Sequence, residues 1–438
     1  MNPPNEKFVI ICVDDEKIVL DSLSHQLQRY FKDRYEFEFA ESGEEALEII
    51  KEQVQGDSRV AMVISDQIMP GMSGEQLLTQ IHQEDPQTIT ILLTGQASLD
   101  SAIKAINNAK LFRYLSKPWV ENDFLLTVEK GLEQFFLHKV SNDQIKLFEQ
   151  FFPKDFLQCL SKESMLDIHL GDHVQRDMSI LFTDIRNFTT ISEKMTPEEN
   201  YQFVNEYIKY IEPAIHNNHG FIDKYIGDAI LALFYTPLDA FQASLDIQKR
   251  IIEFNKAHAE EKYYPISCGV GLHCGTLMLG IVGVEKRLQV TVISDAVNLC
   301  ARLQDLAPTA GALIMASKSF IDKLKDQPVD NIRFLGHVNV KGKAEVIPIF
   351  EVISLDNDPL SSLKIATKSL LHEGLNLFYD KKFAESCVKF KAILEQNPAD
   401  KAVQRYLNLA AKYMLEGTPE DWEGIYMSDL HQKPIPMK

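Results

Sequence analysis

The chain lacks paired cysteines, long apolar runs and an excess of positive charge. Its six cysteines are scattered over 438 residues without a CxxC pair, which argues against a disulfide framework or a cysteine zinc site. No apolar run approaches the roughly 18 residues that a membrane helix needs. A net charge of -18, from 45 Lys and Arg against 63 Asp and Glu, disfavours a nucleic-acid surface. We therefore expect a cytoplasmic protein with no membrane span and no nucleic-acid partner.

The composition and the local pattern indicate several domains, of which the first is α/β. The chain is 45% hydrophobic and 25% charged, as globular proteins are, and its length allows about two to four domains. Residues 7 to about 120 alternate helical patterns with the short runs FVIICV, YEFEFA, VAMVIS, ITILLT and FRYLS. This alternation predicts a doubly wound parallel sheet with helices on both faces.

Polar residues stand at the ends of four of these five runs. Acidic DDE follows the first run, and Asp66, Thr94 and Lys117 mark the ends of the third, fourth and fifth. The carboxyl ends of parallel strands form a ligand crevice, so we expect these groups to converge there. Asp14, Asp15 and Asp66 would repel one another unless a divalent cation such as Mg²⁺ lay between them. Taken singly, Asp14 or Asp15 is also explained as the cap of a helix that begins near Glu16, and Lys117 as a solvated loop charge.

The motifs VDDE, SDQIMPGMSG, LLTG and YLSKPW make residues 6 to about 135 resemble the receiver domain of two-component response regulators. The resemblance implies a flavodoxin-like fold with a parallel five-stranded sheet, and a sensor histidine kinase as partner. It also implies that Asp66 accepts the phosphoryl group and that Asp14 and Asp15 bind one Mg²⁺ with it. The remaining implied roles are those of two relay residues and one phosphoryl contact: Thr94, Tyr114 and Lys117.

Apolar residues recur at helical spacing beyond the receiver. Phe124, Val128, Leu132 and Phe135 begin a series that reaches Leu147, which predicts a long helix. The series fits the last receiver helix packed on its own core, or a helix that continues into a dimeric coiled coil. Its length favours the coiled coil.

A second block, from about residue 176 to 353, contains two acidic positions beside strand-like runs. MSILFTDIRNFTTIS predicts a strand that ends at Asp184, and FIDKYI and AILALF predict a hairpin closed by Gly227 and Asp228. If the hairpin pairs beside the first strand, Asp184 and Asp228 meet as two carboxylates able to bind a pair of divalent metals. A helix cap and an ordinary turn explain the same residues, and the spacing alone leaves both readings open.

Farther along, VTVISDAVNLCARLQDLA places Asn298 and Arg302 four residues apart, on one face of a predicted helix. An arginine there can neutralise charge that develops on a phosphoryl group in transit, and the asparagine can orient a sugar. The alternative is an exposed arginine paired with Asp295 or Asp305.

With LFTDIRNFT, KYIGDAILALF, GLHCG, GVEKRLQVTVISDAVNLCARL and NVKGK in order, this block closely resembles the catalytic domain of class III nucleotidyl cyclases. The resemblance implies a ferredoxin-like α/β fold and a head-to-tail homodimer with catalytic sites at the subunit interface. It implies that Asp184, Asp228 and the backbone carbonyl of Ile185 bind two Mg²⁺ or Mn²⁺ ions per site. Asn298 would position the ribose, and Arg302 would stabilise the transition state.

The same resemblance extends to the substrate, ATP. Lys341 would hold the terminal phosphates, and Lys224 and Thr291 fall on the two base-reading positions. An ammonium group only donates hydrogen bonds, so Lys224 suits N1 of adenine, an acceptor, and not the protonated N1 of guanine. Thr291 can accept from the adenine amino group, but its hydroxyl also donates and so excludes guanine less firmly than Asp would. Lys with Thr resembles a bacterial adenylate cyclase subset.

Together these expectations describe a phosphorylation-regulated adenylate cyclase that converts ATP to 3′,5′-cyclic AMP and pyrophosphate. Phosphorylation of Asp66 would change receiver contacts, and the helical linker would carry the change to the catalytic dimer. Two alternatives stay open: a guanylate cyclase, and a catalytically silent scaffold controlled by the receiver.

The C-terminal residues predict a further helical segment. Gly374, Tyr379, Phe383 and Pro398 follow a pattern similar to one tetratricopeptide repeat, which cannot bury its apolar face alone. We expect this segment to pack on the cyclase domain, with Trp422 as an anchor. The predicted domains are the receiver (1–125), a helical linker (126–175), the cyclase domain (176–355), the tetratricopeptide-like helical pair (360–416) and a tail (417–438).

Overall fold

The computed structural model describes residues 7–56, 58–95, 111–151, 153–259, 265–324, 330–339, 346–354, 359–418, 422 and 425–427. The chain divides into two compact units, Met1–Phe151 and Phe152–Lys438. Each unit has hydrophobic cores of its own. None of the helices in the described ranges is both long and apolar enough to cross a membrane.

The first unit is a parallel sheet with helices packed on it. Its strands are β1 (Phe8–Val13), β2 (Glu36–Ala40), β3 (Arg59–Asp66), β4 (Ile89–Thr94) and β5 (Arg113–Ser116). Its described helices are α1 (Lys17–Phe31), α2 (Gly43–Gln55), α3 (Gly74–Glu84) and α4 (Glu121–Phe151). The strand order β2-β1-β3-β4-β5 is that of flavodoxin-like folds. The predicted doubly wound sheet and its five strands are confirmed.

Local sequence explains how these elements pack. β1 and β4 are buried along their whole length, since a parallel sheet is covered on both faces. α1 buries Leu23, Leu27 and Phe31 at helical spacing. α3 begins with a capping box, in which Ser73 and Gln76 each satisfy a backbone N–H group of the other.

The 31-residue helix α4 has two different halves. Phe124, Val128 and Phe135 are buried in the core of the first unit. Leu137 and Leu147, farther along, are apolar and exposed. The predicted long helix is confirmed, and its pairing in a coiled coil stays a prediction.

The second unit contains a mixed sheet. Its strands are β6 (His173–Ile185), β7 (Gly220–Ile226), β8 (Ala229–Phe234), β9 (Cys268–Val284), β10 (Arg287–Ile293), β11 (Ile314–Ser317), β12 (Ile332–Asn339), β13 (Val346–Val352) and β14 (Ile425–Met427). The order is β14-β12-β13-β11-β9-β6-β8-β7, and β10 pairs with β9. β6 to β9, with two helices between β6 and β7 and one between β8 and β9, form the βαββαβ arrangement of ferredoxin-like folds. The predicted fold class is confirmed.

Helices cover both faces of this sheet. They are α5 (Lys154–Cys159), α6 (Phe188–Ser192), α7 (Pro197–His216), α8 (Pro237–Ala257), α9 (Asp295–Ala310), α10 (Lys318–Lys323), α11 (Pro359–Ala366), α12 (Lys368–Tyr379), α13 (Phe383–Gln396) and α14 (Lys401–Glu416). Alternate residues of β6 face opposite sides. Leu181 packs with α7 and α8, whereas Ile180 and Phe182 pack with Ala296 and Cys300 of α9.

The C-terminal helices share a hydrophobic cluster with α9. Leu303 and Leu306 of α9 lie in the same cluster as Phe378 and Phe390, and the ring of Trp422 packs against Phe378. The predicted packing on the preceding domain is therefore confirmed. The sequence predicts a helical pair, and the structure has four helices, α11 to α14. The likeness to a tetratricopeptide repeat stays a prediction.

Candidate functional site

The carboxyl edge of the first sheet carries two buried carboxylates and an ammonium group. Asp14 follows β1, Asp66 ends β3 and Lys117 follows β5, so the parallel strands bring all three to one edge. Lys117 Nζ lies 2.6 Å from Asp14 Oδ2 and forms a second ion pair with Asp66. The structure thus brings together three of the predicted receiver residues.

Backbone donors and Lys117 stabilise these carboxylates. The N–H of Glu16 donates to Asp14 Oδ1 at 3.0 Å, and the N–H of Ile68 donates to Asp66 Oδ2 at 2.8 Å. Burial raises the pKa of Asp14, and the hydrogen bond from Lys117 offsets only part of this rise. Burial alone would lower the pKa of Lys117, but its bonds to Asp14 and Asp66 outweigh burial and raise it. One cation therefore neutralises two acidic neighbours.

The other predicted receiver residues lie nearby or at the surface. Thr94 is buried, and its hydroxyl donates to Gln67 Oε1 at 2.6 Å. The side chain of Asp15 is exposed, and Tyr114 is 47% exposed. Within the described ranges, no three His, Cys, Asp or Glu side chains come close enough to hold a metal ion together. Magnesium binding by Asp14, Asp15 and Asp66 stays a prediction.

In the second unit, Asp184 and Asp228 come together. β7 and β8 form the predicted hairpin, closed by Gly227 and Asp228. β8 also pairs with β6, so the hairpin tip lies beside the end of β6, which carries Asp184. The N–H of Ile185 donates to Asp228 Oδ2 at 3.2 Å. Strand pairing thus produces the predicted pair of carboxylates.

This pair is electrostatically unfavourable by itself. Burial raises the pKa of Asp184 well above its ordinary value, and the adjacent carboxyl of Asp228 raises it further. Asp184 Oδ1 is buried and has no hydrogen-bond partner in the described part of the chain. Two neighbouring carboxylates need a proton or a cation between them, and oxygen ligands suit hard divalent ions. The residues present therefore fit a divalent metal.

Helix α9 carries Asn298 and Arg302 on one face. Its N-cap is Ser294, whose hydroxyl accepts from the N–H of Ala296 at 3.0 Å and donates to the carbonyl of Thr276 at 2.7 Å. Asn298 is exposed and Arg302 is half-buried. Their four-residue spacing keeps the two side chains on the same side of the helix, as predicted.

Lys224 and Thr291 are in direct contact. Lys224 Nζ donates to Thr291 Oγ1 at 2.8 Å, across 67 residues of sequence. Lys224 lies on β7 and Thr291 lies on β10. The pairing of β7 with β8 shifts by one residue between Ile222 and Lys224, which is a β-bulge. The two residues predicted to read the base thus belong to one cluster within one chain.

One predicted site residue cannot be placed, and one buried residue beside the site was not predicted. Lys341 lies outside the described residues. Asp223, the extra residue of the β-bulge, has a fully buried side chain next to Lys224, and sequence reasoning missed it. The available signal was two adjacent charges, Asp223 and Lys224, in an otherwise strand-like run.

Known proteins match both units. Residues 10–129 match the response regulator receiver domain, and residues 172–351 match the adenylate and guanylate cyclase catalytic domain. An adenylate cyclase of Anabaena cylindrica is 38% identical over 212 residues, which are 47% of this chain and 42% of that protein. A terminal-differentiation-specific adenylate cyclase of Dictyostelium discoideum is 30% identical over 273 residues, 60% of this chain and 13% of that protein.

The chain therefore spans less than half the length of these two relatives. Among solved structures, that of the guanylyl cyclase Cya2 is 28% identical with a TM-score of 0.38, covering 42% of this chain and 96% of that chain. The two family matches cover separate ranges of the sequence. Residues 10–129 are thus a response regulator receiver domain, fused to a class III adenylate or guanylate cyclase catalytic domain at residues 172–351.

Proposed function

We propose that this protein is an adenylate cyclase that converts ATP to 3′,5′-cyclic AMP and pyrophosphate under the control of its receiver domain. The observation that carries the proposal is the adjacent, half-buried pair of Asp184 and Asp228 within a cyclase catalytic domain, in which Asp184 Oδ1 is buried and has no hydrogen-bond partner in the described part of the chain. A catalytically silent scaffold has no use for two adjacent, half-buried carboxylates, which are costly to keep without a cation. The relatives named adenylate cyclase support the same function.

Class III cyclases and receiver domains generally use divalent metals such as Mg²⁺. In each cyclase site Asp184, Asp228 and the carbonyl of Ile185 would hold two Mg²⁺ or Mn²⁺ ions, which when bound activate the 3′-hydroxyl group and neutralise the triphosphate. Asn298 orients the ribose so that the 3′-oxygen is in line with the α-phosphorus. Arg302, on the same helical face, stabilises the negative charge that develops on the phosphoryl group.

Selectivity for adenine rests on the cluster of Lys224 and Thr291. The ammonium group donates to Thr291 and has further N–H donors for an acceptor such as N1 of adenine. Guanine has a protonated N1 and cannot accept there. Thr291 accepts from the amino group of adenine, and Lys341 holds the terminal phosphates of ATP.

Each complete site forms between two copies of the chain. One copy supplies the aspartate pair, and its partner supplies Lys224, Thr291 and helix α9. A head-to-tail homodimer with two-fold symmetry contains two such sites. Because neither copy completes a site alone, the orientation of the two catalytic domains determines the activity.

Phosphorylation of Asp66 by a sensor histidine kinase changes that orientation. The phosphoryl group adds negative charge where Lys117 now neutralises Asp14 and Asp66. Helix α4 begins at Glu121, shortly after Lys117, and extends beyond the receiver core. It is the element that carries the change toward the catalytic domain.

The direct test measures cyclic nucleotide formation by the purified full chain from ATP and GTP in parallel, with Mg²⁺ or Mn²⁺. We expect cyclic AMP from ATP, and a loss of roughly a hundredfold or more in Asp184→Ala. The matched control is Asp246→Asn, which removes a half-buried carboxylate paired with Arg250 on α8. Preferential conversion of GTP would instead make the protein a guanylate cyclase, and absence of both products would favour the scaffold.

Regulation is tested by adding a small-molecule phosphodonor such as acetyl phosphate. The donor should change the rate of the unmodified protein and leave Asp66→Asn unaffected, because the variant has no phosphoacceptor carboxylate. An equal response of both proteins would exclude control through Asp66.

A further inference from the structure

Asp223 is a buried carboxylate with an unusual position in its strand. Adjacent residues of a regular strand point to opposite faces, so a carboxylate at position 223 would face away from the ammonium at 224. In β7, however, Ile222 pairs with Ala232 and Lys224 pairs with Leu231, so Asp223 is the extra residue of a bulge. A bulge re-aims side chains locally. Here it brings Asp223 beside Lys224.

The surroundings of Asp223 give it one charged neighbour that explains its burial. Its side chain is fully buried, and Oδ2 lies 3.3 Å from Lys224 Nζ. In the described structure neither carboxylate oxygen has a hydrogen-bond partner of regular geometry. A buried charge without compensation is costly, so the nearby ammonium is what makes this position tolerable. Burial raises the pKa of Asp223, and the charge of Lys224 counteracts that rise.

Lys224 is therefore held from two sides. Its Nζ donates to Thr291 Oγ1 at 2.8 Å and faces Asp223 Oδ2 at 3.3 Å. A lysine ammonium has three N–H donors on a flexible stem, which without anchors samples many rotamers. Two fixed partners restrict the stem and leave one donor for a ligand.

We propose that Asp223 is a positioning residue for base selection, which acts by fixing the ammonium group of Lys224 against Thr291 so that its remaining N–H points to an acceptor on the purine ring. The inference rests on the proposed function, since it assigns Lys224 to the base. It predicts that Asp223 favours adenine, whose N1 accepts, over guanine, whose N1 donates. The effect is on nucleotide selection and not on the chemical step.

The test compares kcat/KM for ATP and for GTP in the full-length protein and in Asp223→Asn. Loss of the carboxylate should lower kcat/KM for ATP about tenfold or more, chiefly through KM, and leave the value for GTP nearly unchanged. Asp223→Glu should restore part of the ATP preference, and Asp246→Asn should retain all of it. An equal loss for both nucleotides, or no loss, would overturn the proposal.

A double-mutant cycle separates positioning from general structural support. If Asp223 acts through Lys224, adding Asp223→Asn to Lys224→Ala should change the ATP to GTP ratio by less than about twofold. Independent, multiplicative effects would mean that Asp223 does not act through Lys224, and would reject the proposal.

Equilibrium binding of ATP and GTP is measured for the unmodified protein, Asp223→Asn, Lys224→Ala and the double variant. This measurement needs no turnover, so it distinguishes failure of the proposed function from failure of the role given to Asp223. If the unmodified protein forms no cyclic nucleotide, the proposed function is wrong, and the ratio of the two affinities still decides the role of Asp223. If cyclic AMP forms but Asp223→Asn keeps the same ratio, the proposed function stands and this inference falls.

Discussion

Arg333 is a charged side chain with only 1% of its surface exposed, and its partners explain why it is tolerated there. Its Nε lies 2.5 Å from Glu351 Oε2, and its Nη1 lies 2.6 Å from Asp400 Oδ2. Lys364 supplies Glu351 with a second cation at 2.6 Å. The four residues join β12 and β13 to the C-terminal helices by charge as well as by apolar packing.

Arg333→Ala should lower the free energy of unfolding of the second unit by about 3–5 kcal/mol, because Asp400 and Glu351 would remain buried without their guanidinium partner. The matched control is Lys318→Ala, which breaks an exposed pair with Asp322 at 3.0 Å and should cost less than about 1 kcal/mol. Urea unfolding followed by circular dichroism measures both. Equal costs in the two variants would contradict the role given to the buried network.

His337 should make the second unit less stable in acid. Burial lowers the pKa of His337, whose ring packs edge-on against Phe334 and Tyr379. This histidine therefore has a lower pKa in the folded chain than in the unfolded chain, where it is about 6.5, so stability falls as the pH drops through the unfolded value. His337→Gln should make the decline in melting temperature between about pH 7 and about pH 5 shallower. Identical pH profiles would argue against this contribution.

At the scale of elements, the hairpin of β7 and β8 depends on one backbone conformation. Gly227 has a φ of +67°, and among the described residues no atom lies within 4 Å of a Cβ placed there, so the expected cost of a side chain is backbone strain. Gly227→Val should destabilise the hairpin by about 1–2 kcal/mol and reduce activity by displacing Asp228. Gly227→Asn should cost less, because Asn tolerates this region better. Thermal unfolding and cyclase assays of the pair test this, and equal effects would count against it.

Elements with local sequence signals can be predicted from the sequence. Features that depend on contacts between residues far apart in the sequence cannot. The five receiver strands and the closure by Gly227 and Asp228 follow from short runs and turn chemistry, and the structure contains them. The bulge that buries Asp223 depends on pairing with β8, so periodicity within β7 cannot reveal it. Arg333 likewise reads as an ordinary charged residue, because Asp400 lies 67 residues away. The family resemblance, and not the spacing, assigned Lys224 and Thr291 to the base, and neither predicted the hydrogen bond between them.

At the scale of the whole molecule, the catalytic domain does not end where the cyclase family match ends. The match stops at residue 351, yet Leu303 and Leu306 of α9 share a core with Phe378, Phe390 and other residues of the C-terminal helices. Helix α9 also carries Asn298 and Arg302. The C-terminal segment therefore completes the support of the helix that bears both proposed catalytic side chains.

The last prediction follows from the proposed homodimer, in which each site takes its aspartates from one chain and its arginine from the other. Asp184→Ala and Arg302→Ala should each be nearly inactive alone. In a mixed dimer one site carries both defects and the other carries neither, so mixing equal amounts should restore about one quarter of the unmodified activity, since half of the dimers are mixed and each has one intact site. Mixing Asp184→Ala with Asp228→Ala is the control, because both changes affect the same half of the site and every site stays defective. Restoration in the first mixture and not in the second requires sites shared between chains, whereas no restoration in either would mean that each chain contains a complete site.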